Sequence, residues 1–316
     1  MDKFVFFLPN TDYYRIPYND LNKEQNAEIV DALLDSSSMV IRMLYLFHMS
    51  DRINSIIRLP LKKIWFNLYY KKKYDGNNFF FVFFDAQLRK CTIEYREYLK
   101  KHYPGCHIIL FLTDIVASFK SFDLEKIEQF SDLVLTYEAK DAATYGFKYY
   151  PDVYSKLASE TLDSEYEECD LLFAGYKKNR MDLILDIYSE AKKNNVKCKF
   201  VVPDYQGDES IIKQRIQYIE YLKQLQKAKC ILEIEQEGAT GYTLRTLEAL
   251  AYNKKLLTTN TNIVNASFYD EDFIQIIKNV SDIDFSWINM DKMKKTDISS
   301  YEPCKLVEFL KNEFNE

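Results

Sequence analysis

Unbroken apolar runs alternate with amphipathic stretches along most of the chain. Residues 4–8 (FVFFL) read as a buried strand, and 21–34 carry apolar residues at helical spacing. A further apolar run covers 39–48. Residues 79–85 (FFFVFFD) give the clearest strand, followed by a helical stretch over 90–102 and strands over 107–114 (HIILFLTD) and 133–137. Continuous apolar strands separated by helices predict a parallel sheet covered on both faces. The tract 149–170 is polar, acidic and aperiodic, and reads as a connection between domains. A second α/β series follows, with strands over 170–176, 197–202, 230–235, 254–259 and 273–277 and helices over 179–193, 216–228 and 243–253. Pro303 suits the first turn of a last helix, which places Leu306, Leu310 and Phe314 on one face. The pattern therefore predicts an α/β protein of two Rossmann-like doubly wound domains facing across a cleft. They cover 1–160 and 161–300, with a helix over 301–316 packing back on the first.

Composition narrows the class. A length of 316 residues suits two domains, and 47% apolar residues are ample for two cores. The net charge of −6 argues against a nucleic-acid partner. Six cysteines are scattered without a CxxC pair, and the three histidines are dispersed, so the expectation is reduced thiols and no metal site. No run approaches the roughly 18 apolar residues that span a bilayer, and no signal-peptide pattern precedes FVFFL. A cytoplasmic protein is expected. Aromatic residues reach 16%, which fits Tyr-rich surfaces and, less directly, sugar stacking.

Chemistry concentrates in CILEIEQEGATGYTLRTLEALAYNKKLLTTN, residues 230–260, a strand–loop–helix–strand unit. The chain has seven glycines, and Gly238 and Gly241 both lie in this loop, beside Tyr242. Thr243 is placed to cap the helix, whose free N–H groups and positive dipole end suit a phosphate. Arg245 adds a charge-assisted donor, and Glu248, three residues on, shares its face and suits a ribose diol. Glu235 and Glu237 sit at the strand end, where carboxylates meet sugar hydroxyls. An ordinary capped helix with an Arg–Glu surface pair fits the same residues. LLFAGYKKNR offers a second phosphate-side loop at Gly175, with Lys177, Lys178 or Arg180 supplying charge, and equally describes a solvated turn. Residues 52–74 carry seven positive charges and no acid, interleaved with Trp65 and aliphatics. They suit either peripheral contact with an anionic membrane or a core-packed element with a basic face. Asp85 and Asp114 end first-domain strands and His48 follows an apolar run, so each is a candidate general base. His102 and His107 flank the Pro104-Gly105 turn and read as surface residues. No GxSxG, Walker or GxGxxG motif occurs.

Taken together, GATGYTLRTLEALAYNKKLLTTN resembles the donor-site pattern of GT-B glycosyltransferases of bacterial capsule, exopolysaccharide and lipopolysaccharide synthesis, and FAGYKKNR resembles their phosphate-side loop. INSIIRLPLKKIWF, HIILFLTD and LVLTYEAKDAATYGFKYYPDVYS also look like sequences of such enzymes, so the resemblance covers most of the chain. It implies a nucleotide-diphosphate sugar held by the C-terminal domain, a glycan or lipid-linked acceptor on the N-terminal one, and no cofactor or obligatory metal. Carried over by position, Gly241, Thr243 and Arg245 serve the diphosphate, Glu248 the ribose, and Gly175 and Arg180 the phosphate side. Two departures stand out. PNTDYYR replaces the glycine-rich loop that many retaining members have after the first strand, and Asn253-Lys254-Lys255 replaces the usual Gly-Pro. Stereochemistry thus stays open: an inverting enzyme needs Asp114 or Asp85 as base, whereas a retaining one relies on donor-face groups such as Glu237. A sugar-nucleotide epimerase of the same plan and a non-catalytic sugar-nucleotide-binding scaffold are the alternatives.

Overall fold

The structure, a computed structural model, describes all residues except 32–33, 35–37, 55, 58, 120–121, 291–295 and 315–316. The chain forms two compact units. Unit 1 comprises Met1–Arg15, Asn19–Tyr150 and Cys304–Glu316, and unit 2 comprises Ile16–Tyr18 and Pro151–Pro303. The division falls at Tyr150, ahead of the 160/161 boundary expected from composition, because the acidic tract contributes Tyr154 to the core of unit 2 and packs Leu157 against it.

Unit 1 is built on β1 (Asp2–Leu8), α1 (Asp12–Arg15), β2 (Ala27–Asp31), α2 (Met39–His48), α3 (Asp51–Asn54), α4 (Phe66–Tyr69), β3 (Asn78–Phe84), α5 (Ile93–His102), β4 (His107–Leu112), α6 (Leu124–Phe130), β5 (Leu133–Thr136), α7 (Ala139–Tyr145) and β6 (Lys148–Tyr149). The six strands form one parallel sheet in the order β2-β1-β3-β4-β5-β6. The central strands are buried on both faces, which is why they are apolar without alternation. Phe7 stacks on Phe83 at 4.5 Å on one face and Phe4 on Phe80 at 4.5 Å on the other. The C-terminal helix, Pro303–Glu313, covers the second face. Leu306 and Leu310 are fully buried, and Phe314 packs on His107 at 4.1 Å and Phe80 at 5.8 Å. His107 is therefore partly buried rather than a surface residue.

One stretch of unit 1 differs from the helical expectation. Residues 21–34 contain a 3-10 turn, Asn19–Lys23, and then β2, a sheet-edge strand with a mixed pattern. The apolar run 39–48 is α2, capped by the Ser38 hydroxyl, which accepts from the Ile41 N–H at 3.4 Å. Within 52–74, Trp65, Phe66, Tyr69 and Tyr70 are buried, and the Trp65 indole N–H donates to His48 Nδ1 at 2.6 Å. Lys62 donates to the His48 carbonyl and Lys72 pairs with Glu28. Trp65 is a core anchor, not an exposed one.

Unit 2 contains β7 (Cys169–Ala174), α8 (Met181–Lys193), β8 (Cys198–Val201), α9 (Tyr218–Lys227), β9 (Ala228–Glu233), α10 (Leu244–Ala251), β10 (Lys255–Thr258) and β11 (Ile274–Ile276). Its parallel sheet runs β11-β10-β9-β7-β8. Alternate residues enter opposite layers, Leu172, Ile231 and Leu256 on one side and Leu171, Phe173, Leu232 and Leu257 on the other. No described helix is long and apolar enough to cross a membrane.

Candidate functional site

In unit 2 the strand order turns at β7, with β8 on one side and β9 on the other. Such a switch leaves a crevice beyond the carboxyl ends of the two central strands, where α/β sheets bind ligands. Gly175 follows β7 there. A Cβ at this position would lie 2.8 Å from Arg245 Nη2 and 3.4 Å from Arg180 Nη2, so glycine is what lets two guanidinium groups converge. Both sit 5.9 Å from the Phe173 ring centre. Arg245 Nε donates to the Ala174 carbonyl at 3.2 Å, and Arg180 Nη1 donates to the Ile234 carbonyl. Burial, then the like charge of Arg245, pushes Arg180 down to about 10, with Glu233 opposing. Arg180 Nε is buried without a hydrogen-bond partner among the described residues. The Gly175 N–H is already donated to the Val201 carbonyl at 3.0 Å.

Two loops meet over this point. Lys178 donates to Gln236, and Asn179 Nδ2 donates to Glu237 at 2.8 Å. Gly238 turns the second loop with φ +87°. Beside them opens a cavity of about 570 Å³ lined by Asn179, Arg180, Ile234, Glu235, Glu237 and Thr259, among others. Gly175, Thr243 and Arg245 are not among the residues that line it.

Thr243 caps α10, its hydroxyl oxygen accepting from the Arg245 N–H at 3.2 Å. The same hydroxyl donates to Glu233, a residue that sequence reasoning passed over. Glu233 is fully buried at the end of β9 and also accepts from Thr246 at 2.9 Å and Thr258 at 2.6 Å. The only sequence signal is one acid inside CILEIE with hydroxyl residues following in TLRT and LLTT. Glu233 fixes the helix cap through Thr243 and adds a carboxylate that favours the charge of Arg180.

Other predicted donor residues stand apart. Glu248 does not face the cavity: it is 1% exposed and accepts from the Tyr218 and Tyr221 hydroxyls at 2.5 and 2.7 Å. Three residues along a helix turn through about 300°, and the remaining roughly 60° from Arg245 swings the carboxyl into the seam with α9. Burial, partly offset by the tyrosines and Arg245, raises its pKa to about 7. The ribose role read from spacing is corrected accordingly. Tyr242 packs edge-on to Phe268 at 5.1 Å, the Gly241 carbonyl accepts from Asn260 at 3.0 Å, and Lys177 is exposed.

Unit 1 gathers a second polar group at the carboxyl edge of its sheet, beside its own switch point between β1 and β3. Asp85 follows β3 and accepts from the Ala86 N–H at 2.8 Å and the Thr113 hydroxyl at 3.3 Å. Burial, with Asp114 adding to it, raises Asp85 to about 6. Asp114 accepts from the Ile115 N–H at 2.9 Å. Burial followed by Asp85 and Asp114 lifts the Tyr14 hydroxyl to about 12, placing this tyrosine, unforeseen from sequence, among the two carboxylates. His48 lies elsewhere, at the end of α2. Nδ1 accepts from Trp65 and Nε2 donates to the Pro60 carbonyl at 2.7 Å, so neither ring nitrogen is left to take a proton. Among the described residues no group of three or more His, Cys, Asp or Glu is placed to hold a metal ion.

No family model matches the chain, and no curated protein matches its sequence. Solved structures do match. A Listeria monocytogenes protein described as a UDP-N-acetylglucosamine 2-epimerase superposes with a TM-score of 0.51 at 10% identity, over 99% of this chain and 96% of its own. The fold is GT-B. An α-glucosyltransferase in complex with UDP and a mismatched DNA reaches a TM-score of 0.49 at 11% identity, over 98% and 95% of the two chains. The spinosyn forosaminyltransferase SpnP reaches 0.45 at 10% identity, over 99% of each. At 10% identity the likeness to the Listeria protein speaks for the fold alone.

Proposed function

We propose that this GT-B chain is a glycosyltransferase that moves a sugar from a nucleotide-diphosphate donor to a glycan or lipid-linked acceptor of bacterial surface polysaccharide. The observation that carries this reading is the convergence of Arg180 and Arg245 at Gly175 beside the cavity. Two like charges held this close favour an anion between or beside them, and a leaving diphosphate is such an anion. The pair takes over the charge neutralisation that a divalent cation supplies elsewhere, so no metal is required. Glu235 and Glu237, on the cavity wall, suit hydroxyls of the donor.

For the acceptor, Asp85 is the preferred base. A carboxylate raised to about 6 is ionised near neutrality and still basic enough to accept a hydroxyl proton. That assignment makes the reaction an inverting one. The departing diphosphate carries off the bonding pair while the acceptor oxygen attacks the anomeric carbon.

Thermal shift against UDP, GDP, dTDP and CMP sugars tests the donor site. A donor at 100-fold over its Kd stabilises by about 2.7 kcal/mol, a melting shift of roughly 5–10 °C for a unit of this size. Arg245→Ala should abolish that shift while keeping the unliganded melting point. Stabilisation by none of the four classes, or an unchanged shift in the variant, refutes the assignment. Isomerisation of the donor without acceptor would instead identify an epimerase.

A further inference from the structure

Helix α2 is apolar on two sides. Toward the core it buries Tyr45, which meets Trp65 at 5.4 Å and Tyr69 at 5.9 Å, with Ile41 packed alongside. On the other side Val40, Met43, Leu44 and Phe47, at i, i+3, i+4 and i+7, form one stripe whose members are 56–66% exposed. Met39 and Leu46 extend it, and Ile56, Ile57, Leu61 and Ile64 in the segment that follows are exposed by 54–84%. Among the described residues, most of the large apolar side chains shown to solvent thus come from one short stretch. A contiguous patch of this kind on a soluble surface marks an interaction site.

Charge identifies the partner. Across residues 39–64 the sequence carries Arg42, Arg52, Arg58, Lys62 and Lys63 against one acid, Asp51, in a protein whose net charge is −6. An acidic protein that gathers its bases around its exposed aliphatics matches an anionic bilayer surface, where aliphatics enter the acyl boundary and bases remain at the headgroups. A protein groove lined with acids would satisfy the bases but offers no reason for the breadth of the apolar stripe.

We propose that α2, together with Ile56, Ile57, Leu61 and Ile64, docks unit 1 onto an anionic lipid surface, with Val40, Met43, Leu44 and Phe47 inserted and Lys63 among the headgroup contacts. The site differs from the aromatic-and-lysine tract expected from sequence, whose Trp65 and Tyr69 face inward. Docking does not depend on the transferase reading, and its assay contains no sugar nucleotide.

The test is co-sedimentation of the full chain with vesicles of phosphatidylglycerol and phosphatidylcholine, compared with phosphatidylcholine alone. Wild type should pellet with the anionic vesicles and release as salt rises. Met43→Glu/Phe47→Glu should lower the vesicle partition coefficient by about tenfold or more, since both insertion and charge attraction are lost. Lys63→Glu should lower it about threefold to fivefold. Both sites are exposed, and circular dichroism verifies that the variants fold. Failure of wild type to bind anionic vesicles, equal binding by Met43→Glu/Phe47→Glu, or a dimer in sedimentation equilibrium that this variant dissolves without any vesicle binding would each overturn the proposal.

Discussion

Glu248→Gln offers a direct measure of how the seam between α9 and α10 is built. The carboxyl is 1% exposed, and its pKa rises from the ordinary 4.5 to about 7, chiefly through burial. Hydrogen bonds from Tyr218 and Tyr221 pull it back, and Glu233 pushes it up. A group whose folded pKa is raised contributes fully below the unfolded value, and that contribution disappears as pH rises through the folded one. At 1.36 kcal/mol per unit, wild-type unit 2 loses about 3 kcal/mol between pH 4.5 and just above 7 from this residue. Glutamine keeps the shape of the neutral acid and does not titrate. The two proteins should be nearly equal at pH 4.5, and the variant should lead by about 3 kcal/mol at pH 8. With an m-value of about 2 kcal/mol/M, the urea midpoints then separate by about 1.5 M. The protein has two tryptophans, Trp65 in unit 1 and Trp287 in unit 2, so fluorescence in a Trp65→Phe background follows unit 2 alone. A difference between the proteins that stays constant within about 0.5 kcal/mol from pH 4.5 to 8 refutes the buried, shifted carboxyl.

Two further outcomes concern the proposed chemistry. If Asp85 is the base, kcat/KM rises about tenfold per unit below pH 6 and levels above it, because only the ionised form accepts the proton. Asp85→Asn should remove that limb and cost at least about 10²-fold, and a pH profile with the same limb in the variant excludes Asp85. Gly175 does not have a left-handed φ, so Gly175→Ala adds a methyl without backbone strain and places it 2.8 Å from Arg245 Nη2. Calorimetric titration with the nucleoside diphosphate should show affinity weakened about tenfold by displacement of a charged donor, whereas unchanged affinity would separate Arg245 from the diphosphate.

Both sheets were legible because parallel strands buried on two faces leave runs such as FFFVFF and CILE that few other structures need. The run 39–48 did not declare its element for a related reason. A helix apolar on two sides has no single-face period, and Ser38 was its only distinguishing signal. β2 was missed since a five-residue edge strand carries too few buried positions to set a pattern. In the site, the glycine, cap and arginines were readable from local spacing. The burial of Glu248 was not, because it depends on tyrosines 30 and 27 residues away. The pairing of His48 with Trp65 likewise joins positions 17 apart, beyond any helical or strand period.

The strand Asn78–Phe84 has consequences before the protein is finished. Six uncharged, strand-favouring residues in a row, without proline or glycine, make the kind of segment that pairs with copies of itself when uncovered. In the native sheet it lies between β1, already synthesised, and β4, made some 20 residues later. Until β4 arrives one edge of the strand is open, and its far face waits for the helix at Pro303–Glu313, more than 200 residues later in the chain. The aromatic ladder that gives unit 1 its core is therefore also the part of the newborn chain most in need of shelter, which makes the last helix a seal on the first domain.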